Sequence, residues 1–281
     1  MKRRFAVVFL VLMLFVTACA SIGLKAGDES SASSQPTQSP VTGRITFAGS
    51  TTLQPLAHEL GQVFKEQYPE VELDIAAGGS VVGIEAIHGG TVDIGMASRA
   101  LKSEEAQGIT AHRVAVDVIA VIVNEENPVR SLSWEQLGDV YLGKITHWSQ
   151  VGGPERPIVV VVRGKNSGTR GAFDKLVLNK QEPAAPDVRT AATAGDVAAI
   201  VASHSDAVGY VGFGNLDPGL KLLAINDVLP SEETARDGSY QLVRPLLFLT
   251  GPLTQPLALT FVDFALSAEG QEIVVASGWV P

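Results

Sequence analysis

Residues 159–170 read Val-Val-Val-Val-Arg-Gly-Lys-Asn-Ser-Gly-Thr-Arg, which gathers a guanidinium, two hydroxyls and several backbone N–H groups within a few positions. The valine run suits a strand covered on both faces, and the segment from Ser167 through Phe173 and Leu176 reads as the helix that follows it. Such a junction is suited to anion binding. A helix start carries unpaired N–H groups and the positive end of the helix dipole, and a glycine there lets the backbone approach a ligand with no Cβ in the way. Arg163 adds a full charge, and Ser167, Gly168 and Thr169 add two hydroxyl donors and open backbone.

Other junctions present the same small polar residues. Ser50-Thr51 follows a strand over 44–48, and Ser80 opens a helix after a strand over 71–75. Ser98-Arg99 ends a strand over 91–97. Taken singly, each serine or threonine reads equally well as a plain helix cap. In open α/β sheets, however, ligands sit beyond the carboxyl ends of strands, so several such ends together point to one shared anion site.

The elements that must position these residues alternate strand and helix, which predicts α/β architecture with a largely parallel sheet. Leu53, Leu56, Ala57, Leu60, Val63 and Phe64 lie at helical spacing, and Ser133 to Gln136 fit a capping box. A helix is expected over 195–203 and a strand over 207–211. Two long apolar stretches, 114–123 and 242–250, enclose a middle segment and suggest two lobes joined by two crossings. The lobes are expected as residues 44–120 plus 246–281 and residues 121–245.

Hydrophobic content of 46% and charged content of 18% fit a globular protein, and a formal charge of −9 argues against nucleic acid as a partner. The five histidines, His58, His88, His112, His147 and His204, are scattered without metal-ligand spacing, so no metal, cofactor or catalytic role is expected. Trp134, Trp148 and Trp279 are too dispersed for a stacking site and read as core or interface residues.

The N-terminus carries Lys2-Arg3-Arg4, an apolar run over 5–16, and then Thr17-Ala18-Cys19. This is the pattern of a cleaved signal peptide over 1–18, and the apolar run is too short for a comfortable membrane span. Cys19 is the only cysteine, which excludes an intramolecular disulfide. Val16 to Cys19 resembles a bacterial lipobox, which would make Cys19 the lipidated first residue of the mature chain. Residues 19–43 then read as lipid anchor and flexible tether, rich in serine and nearly devoid of apolar residues. A domain held just outside a bacterial membrane is expected.

Gly49-Ser50-Thr51-Thr52, Gly79-Ser80, Asp93-Ile94-Gly95 with Ser98-Arg99, and Ser167-Gly168-Thr169-Arg170 resemble the phosphate-binding proteins of bacterial phosphate ABC transporters. The ending from Phe261 to Gln271 looks like that family's C-terminal helix pair, and the likeness runs from residue 44 to 281. It implies a type II periplasmic-binding-protein fold, in which two α/β lobes close on one phosphate ion for delivery to ABC permease transmembrane subunits, the receptor acting as a monomer. Carried over residue by residue, it implies ligands at Ser50, Thr51, Ser80, Arg163, Ser167, Gly168 and Thr169. Long members have an aspartate near the end of the strand that here leads to Ser98-Arg99, where it accepts the proton of hydrogen phosphate. This chain, like the short members, has Ser98 or Arg99 there, and Arg99 is expected to add charge to the ligand set. A receptor for another tetrahedral oxyanion such as sulfate and a phosphate sensor outside transport are the alternatives. A phosphatase built on Ser50 or Ser167 would need an oriented base or a metal.

Overall fold

A computed structural model describes residues 41–216 and 219–281. The leader expected over 1–18, the Cys19 anchor and the tether as far as residue 40 lie outside the described residues.

The chain begins β1 (Gly43–Gly49), α1 (Gln54–Gln67), β2 (Val71–Ala77), α2 (Ser80–His88), β3 (Ile94–Ala97) and the long β4 (Thr110–Asn124). A middle segment follows with β5 (Ser131–Leu132), α3 (Trp134–Tyr141), β6 (Val159–Arg163), α4 (Gly168–Leu176), β7 (Val188–Ala191), α5 (Ala194–Ser203) and β8 (Ala207–Gly212). It continues through β9 (Leu220–Leu222), β10 (Ala224–Ile225) and α6 (Glu232–Arg236) to β11 (Val243–Thr250), α7 (Pro256–Leu266) and α8 (Ala268–Ala276).

The strands line up as β2-β1-β3-β11-β4-β8-β6-β7, with β9 also on β4. Strands β1, β2 and β3 are mutually parallel, as are β6, β7 and β8, whereas β11 and β4 run antiparallel to their neighbours. The first part of β4, Thr110 to Val118, pairs with β11, and Ile119 to Val123 pair with β8. One strand therefore runs through both halves of the sheet. Register brings the strand ends together: Gly49 stands opposite Ala77 of β2 and Met96 of β3, so three carboxyl ends finish level. In the other half Arg163, the last residue of β6, stands opposite Ala191 of β7.

Two strand starts differ from the sequence expectation, each for a local reason. Strand β3 starts at Ile94 rather than residue 91, because Asp93 bonds through its side chain: its carboxylate accepts from the N–H and the hydroxyl of Thr46, both within 2.9 Å. Strand β4 starts at Thr110 rather than residue 114, since its polar, partly exposed first residues pair with the end of β11. Pro245 does not break β11. It stands opposite Val116, whose N–H and carbonyl bond instead to Val280 at 2.6 and 3.1 Å. The capping box is formed as expected, with Ser133 and Gln136 bonding each other's backbone N–H at 3.0 and 2.8 Å.

Each half of the sheet has its own apolar core. Around β1 and β11, Phe261 of α7 lies with its ring centroid 5.1 Å from both Phe47 and Phe64 and 6.0 Å from Phe248. Around β6 and β8, Phe173 stacks on Tyr210 at 4.0 Å beside Tyr141 and Trp148. Stacked and edge-on rings of this kind add to the burial of their large apolar area. Replacing Phe261 by alanine should destabilise the chain by about 3–5 kcal/mol. Thermal unfolding should then fall by roughly 6–20 °C in a protein of this size. A shift below about 2 °C would show that this ring does not anchor the core.

Candidate functional site

Strand β6 ends at Arg163, and the turn after it is closed by Ser167 N–H donating to the Gly164 carbonyl at 3.0 Å. Ser167 then caps α4, its Oγ accepting from Arg170 N–H at 3.3 Å. The first turn of α4 points at the level carboxyl ends of β1, β2 and β3. Gly168 sits so close to Ser80 and Ser98 that a Cβ there would overlap both hydroxyls. Thr169 Oγ1 is 3.3 Å from Thr52 Oγ1. Alongside, Asn166 bonds across to the other half through Nδ2 to the Gly78 carbonyl at 2.5 Å and by accepting from Val81 N–H at 3.2 Å. Gly79, the residue before α2, has φ 95°, and a Cβ there would lie 2.6 Å from the Asn166 carbonyl oxygen. Only glycine meets both demands.

Three of the hydroxyls, Ser50, Ser80 and Ser167, share one bonding pattern. Ser50 Oγ accepts from the N–H groups of Thr52 and Leu53 at 3.3 and 3.4 Å. Ser80 Oγ accepts from Ser98 N–H at 2.9 Å and lies 3.3 Å from Ser98 Oγ. Ser50, Ser80, Ser98, Ser167 and Thr169 are all buried. At Ser50, Ser80 and Ser167 acceptor capacity is already used by N–H groups, so the remaining capacity of those three lies mainly in donation. A cluster of inward donors at the starts of α1, α2 and α4 favours negative charge. Thr51 lies in the same turn as Ser50 and is half-buried, but Thr52 makes the contact with Thr169.

Arg163 is buried at the end of β6, with Nη2 donating to the Ala192 carbonyl at 2.8 Å. Its Nε is buried without a hydrogen-bond partner among the described residues. Loss of solvent lowers its pKa to about 10, with the Arg244 charge acting in the same direction. It therefore remains a cation at neutral pH.

Arg99, expected among the ligands, is engaged elsewhere. Its Nη1 and Nη2 bond the two oxygens of Glu105 at 2.6 and 2.8 Å, and Nη1 also donates to the Ala100 carbonyl. The same contact holds the Glu105 carboxyl below its ordinary range. A bidentate carboxylate partner satisfies the guanidinium fork without any ligand. Arg170 is likewise held by Asp174, Glu182 and the Arg163 carbonyl.

Sequence reasoning missed Thr52, Asp117 and Arg244. Arg244, at the start of β11, is buried and donates to Asp117 Oδ2 from Nε at 2.8 Å and from Nη2 at 2.5 Å. It also reaches the Ser98 carbonyl and Thr52 Oγ1, both at 3.2 Å. Asp117 lies fully buried on β4 and accepts from Phe213 N–H at 3.0 Å. Burial pushes its carboxyl up, and the Arg244 guanidinium opposes that rise. A signal existed: one aspartate and one arginine stand inside otherwise apolar runs, and a charge in a buried strand requires a partner. Among the described residues no group of three or more His, Cys, Asp or Glu side chains is placed to hold a metal, and no helix is long and apolar enough to cross a membrane.

Comparison with known proteins agrees with this geometry. The model of the PBP superfamily domain matches residues 34–269. A phosphate-binding protein PstS from Bacillus subtilis (strain 168) is 31% identical over 290 residues, covering 100% of this chain and 95% of that one. The crystal structure of a putative phosphate ABC transporter substrate-binding protein with bound phosphate from Clostridium perfringens superposes with a TM-score of 0.81 at 34% identity, covering 85% of this chain and 99% of that one. An ABC-type phosphate transport receptor from Vibrio cholerae gives a TM-score of 0.70 at 31% identity over 85% and 99% of the two chains. The fold is the type II periplasmic-binding-protein fold. The chain belongs to the PBP superfamily and, within it, to the family of phosphate-binding proteins of which these relatives are members.

Proposed function

We propose that this chain is the extracytoplasmic receptor of an ABC importer, capturing inorganic phosphate and delivering it to permease transmembrane subunits. On this reading it works as a monomer tethered through a lipid on Cys19, and it binds rather than transforms its ligand. The lobes would be residues 44–120 with 246–281 and residues 121–245, closing on the anion. Its ligands would be Ser50, Thr51, Ser80, Ser98, Ser167, Gly168 and Thr169, with Arg163 as the cation.

One observation supports this reading above the others. Buried hydroxyls whose oxygens already accept N–H bonds gather at the helix starts, with Ser80 and Ser98 packed against the first turn of α4, and the strand leading into that turn ends in a buried guanidinium whose Nε has no partner among the described residues. An oxyanion is the ligand that such donors satisfy. Exclusion of water would strengthen each of those bonds, because the local dielectric falls. Reaction chemistry has less support: His58, the histidine nearest Ser50 in sequence, is exposed on α1. Release of chromophore from a phosphate ester by the purified chain would overturn the binding-only reading.

Calorimetric titration with phosphate should give saturable binding, and Arg163→Ala should weaken it by about 2–4 kcal/mol, since a buried charged partner is lost. Wild-type affinity in that variant would remove Arg163 from the ligand set. Gly168→Ala should weaken binding by at least about tenfold while leaving the circular dichroism spectrum intact, because the added methyl opposes closure on Ser80 and Ser98. Arg163 stays protonated from pH 5 to 8, so it should impose no pH dependence of its own in that window. Any change in phosphate affinity there should follow the ionisation of the ligand, and a sulfate titration should be flat. Cys19→Ala should release the protein from the membrane fraction and abolish labelling by a radioactive fatty acid.

A further inference from the structure

The Asp117–Arg244 pair lies where the two halves of the sheet meet. Val118 and Val243 are the last partners of β4 and β11, and the next residue of β4, Ile119, pairs with Gly212 of β8. Asp117 accepts a hydrogen bond from Phe213 N–H, which follows β8, so it is bonded to both halves. From this junction Arg244 extends into the cleft, bonding the Ser98 carbonyl and Thr52 Oγ1. Thr52 in turn lies 3.3 Å from Thr169 on the opposite wall. A continuous series of polar contacts runs from the crossing strands to the first turn of α4.

The direction of these bonds matters. A guanidinium has donors only, so in its contact with Arg244 Nη2 the Thr52 hydroxyl must accept. Its own hydrogen is then free to point away, towards Thr169 and the space its neighbours face. Ser80 is set the same way by Ser98 N–H, and Ser50 by Thr52 and Leu53 N–H. At Thr52 the role falls to a side chain on β11, distant in sequence. That side chain is held by two bonds to a buried carboxylate, which fixes the guanidinium plane.

We infer that Arg244, held by Asp117, is a positioning residue of the oxyanion cleft: it sets the Thr52 hydroxyl as a donor to the anion and ties that hydroxyl to the crossing strands. The inference rests on the phosphate reading above and assigns Thr52 as an additional ligand. It also accounts for the nearest buried carboxylate. Asp117 faces Arg244 and Phe213 N–H rather than the cleft, so it is not the acceptor for a ligand proton.

The test is a double-mutant cycle on the full mature chain, read as phosphate affinity by calorimetry, with thermal unfolding measured alongside. Asp117→Asn and Arg244→Gln are introduced together, so that no unpaired charge is left buried. This pair change and Thr52→Val should each weaken phosphate binding about tenfold or more. Made in the Thr52→Val background, the pair change should cost less than about threefold more, because the hydroxyl it positions is gone. A purely structural pair would lower the unfolding temperature equally in both backgrounds and leave the two affinity losses additive. Additive losses therefore overturn the proposal. Should the pair variant fail to fold, Thr52→Val against Thr52→Ser decides. Weak binding by the valine variant with tighter binding by the serine variant supports the role, and wild-type affinity in the valine variant overturns it. A wild-type chain that takes up no phosphate sinks the phosphate reading and this role together, whereas the other failures leave that reading standing.

Discussion

A hydroxyl oxygen that already accepts an N–H bond and is sealed from water has its hydrogen left to give, and the cleft is lined with such groups. Buried polar atoms are costly unless each finds a partner, so this lining constrains what can enter. An apolar ligand would strand every donor. A cation would meet the positive ends of three helices and a buried guanidinium. A small oxyanion satisfies the arrangement from all sides. The unpaired Nε of Arg163 is consistent with that constraint, since a fully buried guanidinium rarely leaves a donor unused.

Register is what makes the constraint possible. Because β1, β2 and β3 are parallel and end level, the residues just past them occupy one narrow zone although they lie up to 48 positions apart in the chain. The opposite wall comes from a different half of the sheet. There the all-buried β6 delivers α4 end-on, and Gly168 permits an approach that any side chain would block. The turn from β6 into α4 allows little play, being closed by one backbone bond and one serine cap. Much of the fold's regularity therefore serves to bring four chain segments to one place.

Much of this was legible in the sequence. Glycine and serine after valine-rich or isoleucine-rich runs mark strand-to-helix junctions, and the geometry of α/β sheets says where those junctions gather. The two long apolar runs are likewise visible, and they become β4 and β11. What could not be read is direction and partner choice. Arg99 and Arg163 look alike as isolated arginines near strand ends, yet Glu105 six residues on takes the first, whereas the second bonds a backbone carbonyl and no carboxylate. Thr51 and Thr52 are adjacent, and only the φ and ψ angles of the turn decide which one faces α4. Arg244 lies 192 residues from the threonine it bonds, so no local pattern links them. The residue pair that does stand out, one acid and one base inside apolar strands, signals a buried ion pair without saying what it supports.

Net charge and local field point in opposite directions here, and distance resolves the conflict. The whole chain carries −9, which would repel an anion at long range. At physiological ionic strength that repulsion is screened over roughly 8 Å, so it shapes the approach of a ligand far more than its retention. Inside the cleft the relevant groups are a few ångströms away and shielded from salt. The Asp117 carboxylate is a buried charge of the wrong sign, and Arg244 pairs with it through two short bonds. Arg163, by contrast, is buried with no carboxylate bonded to it among the described residues. An acidic protein can on these terms hold an anion, because helix dipoles, a guanidinium and burial act at short range where the formal total does not.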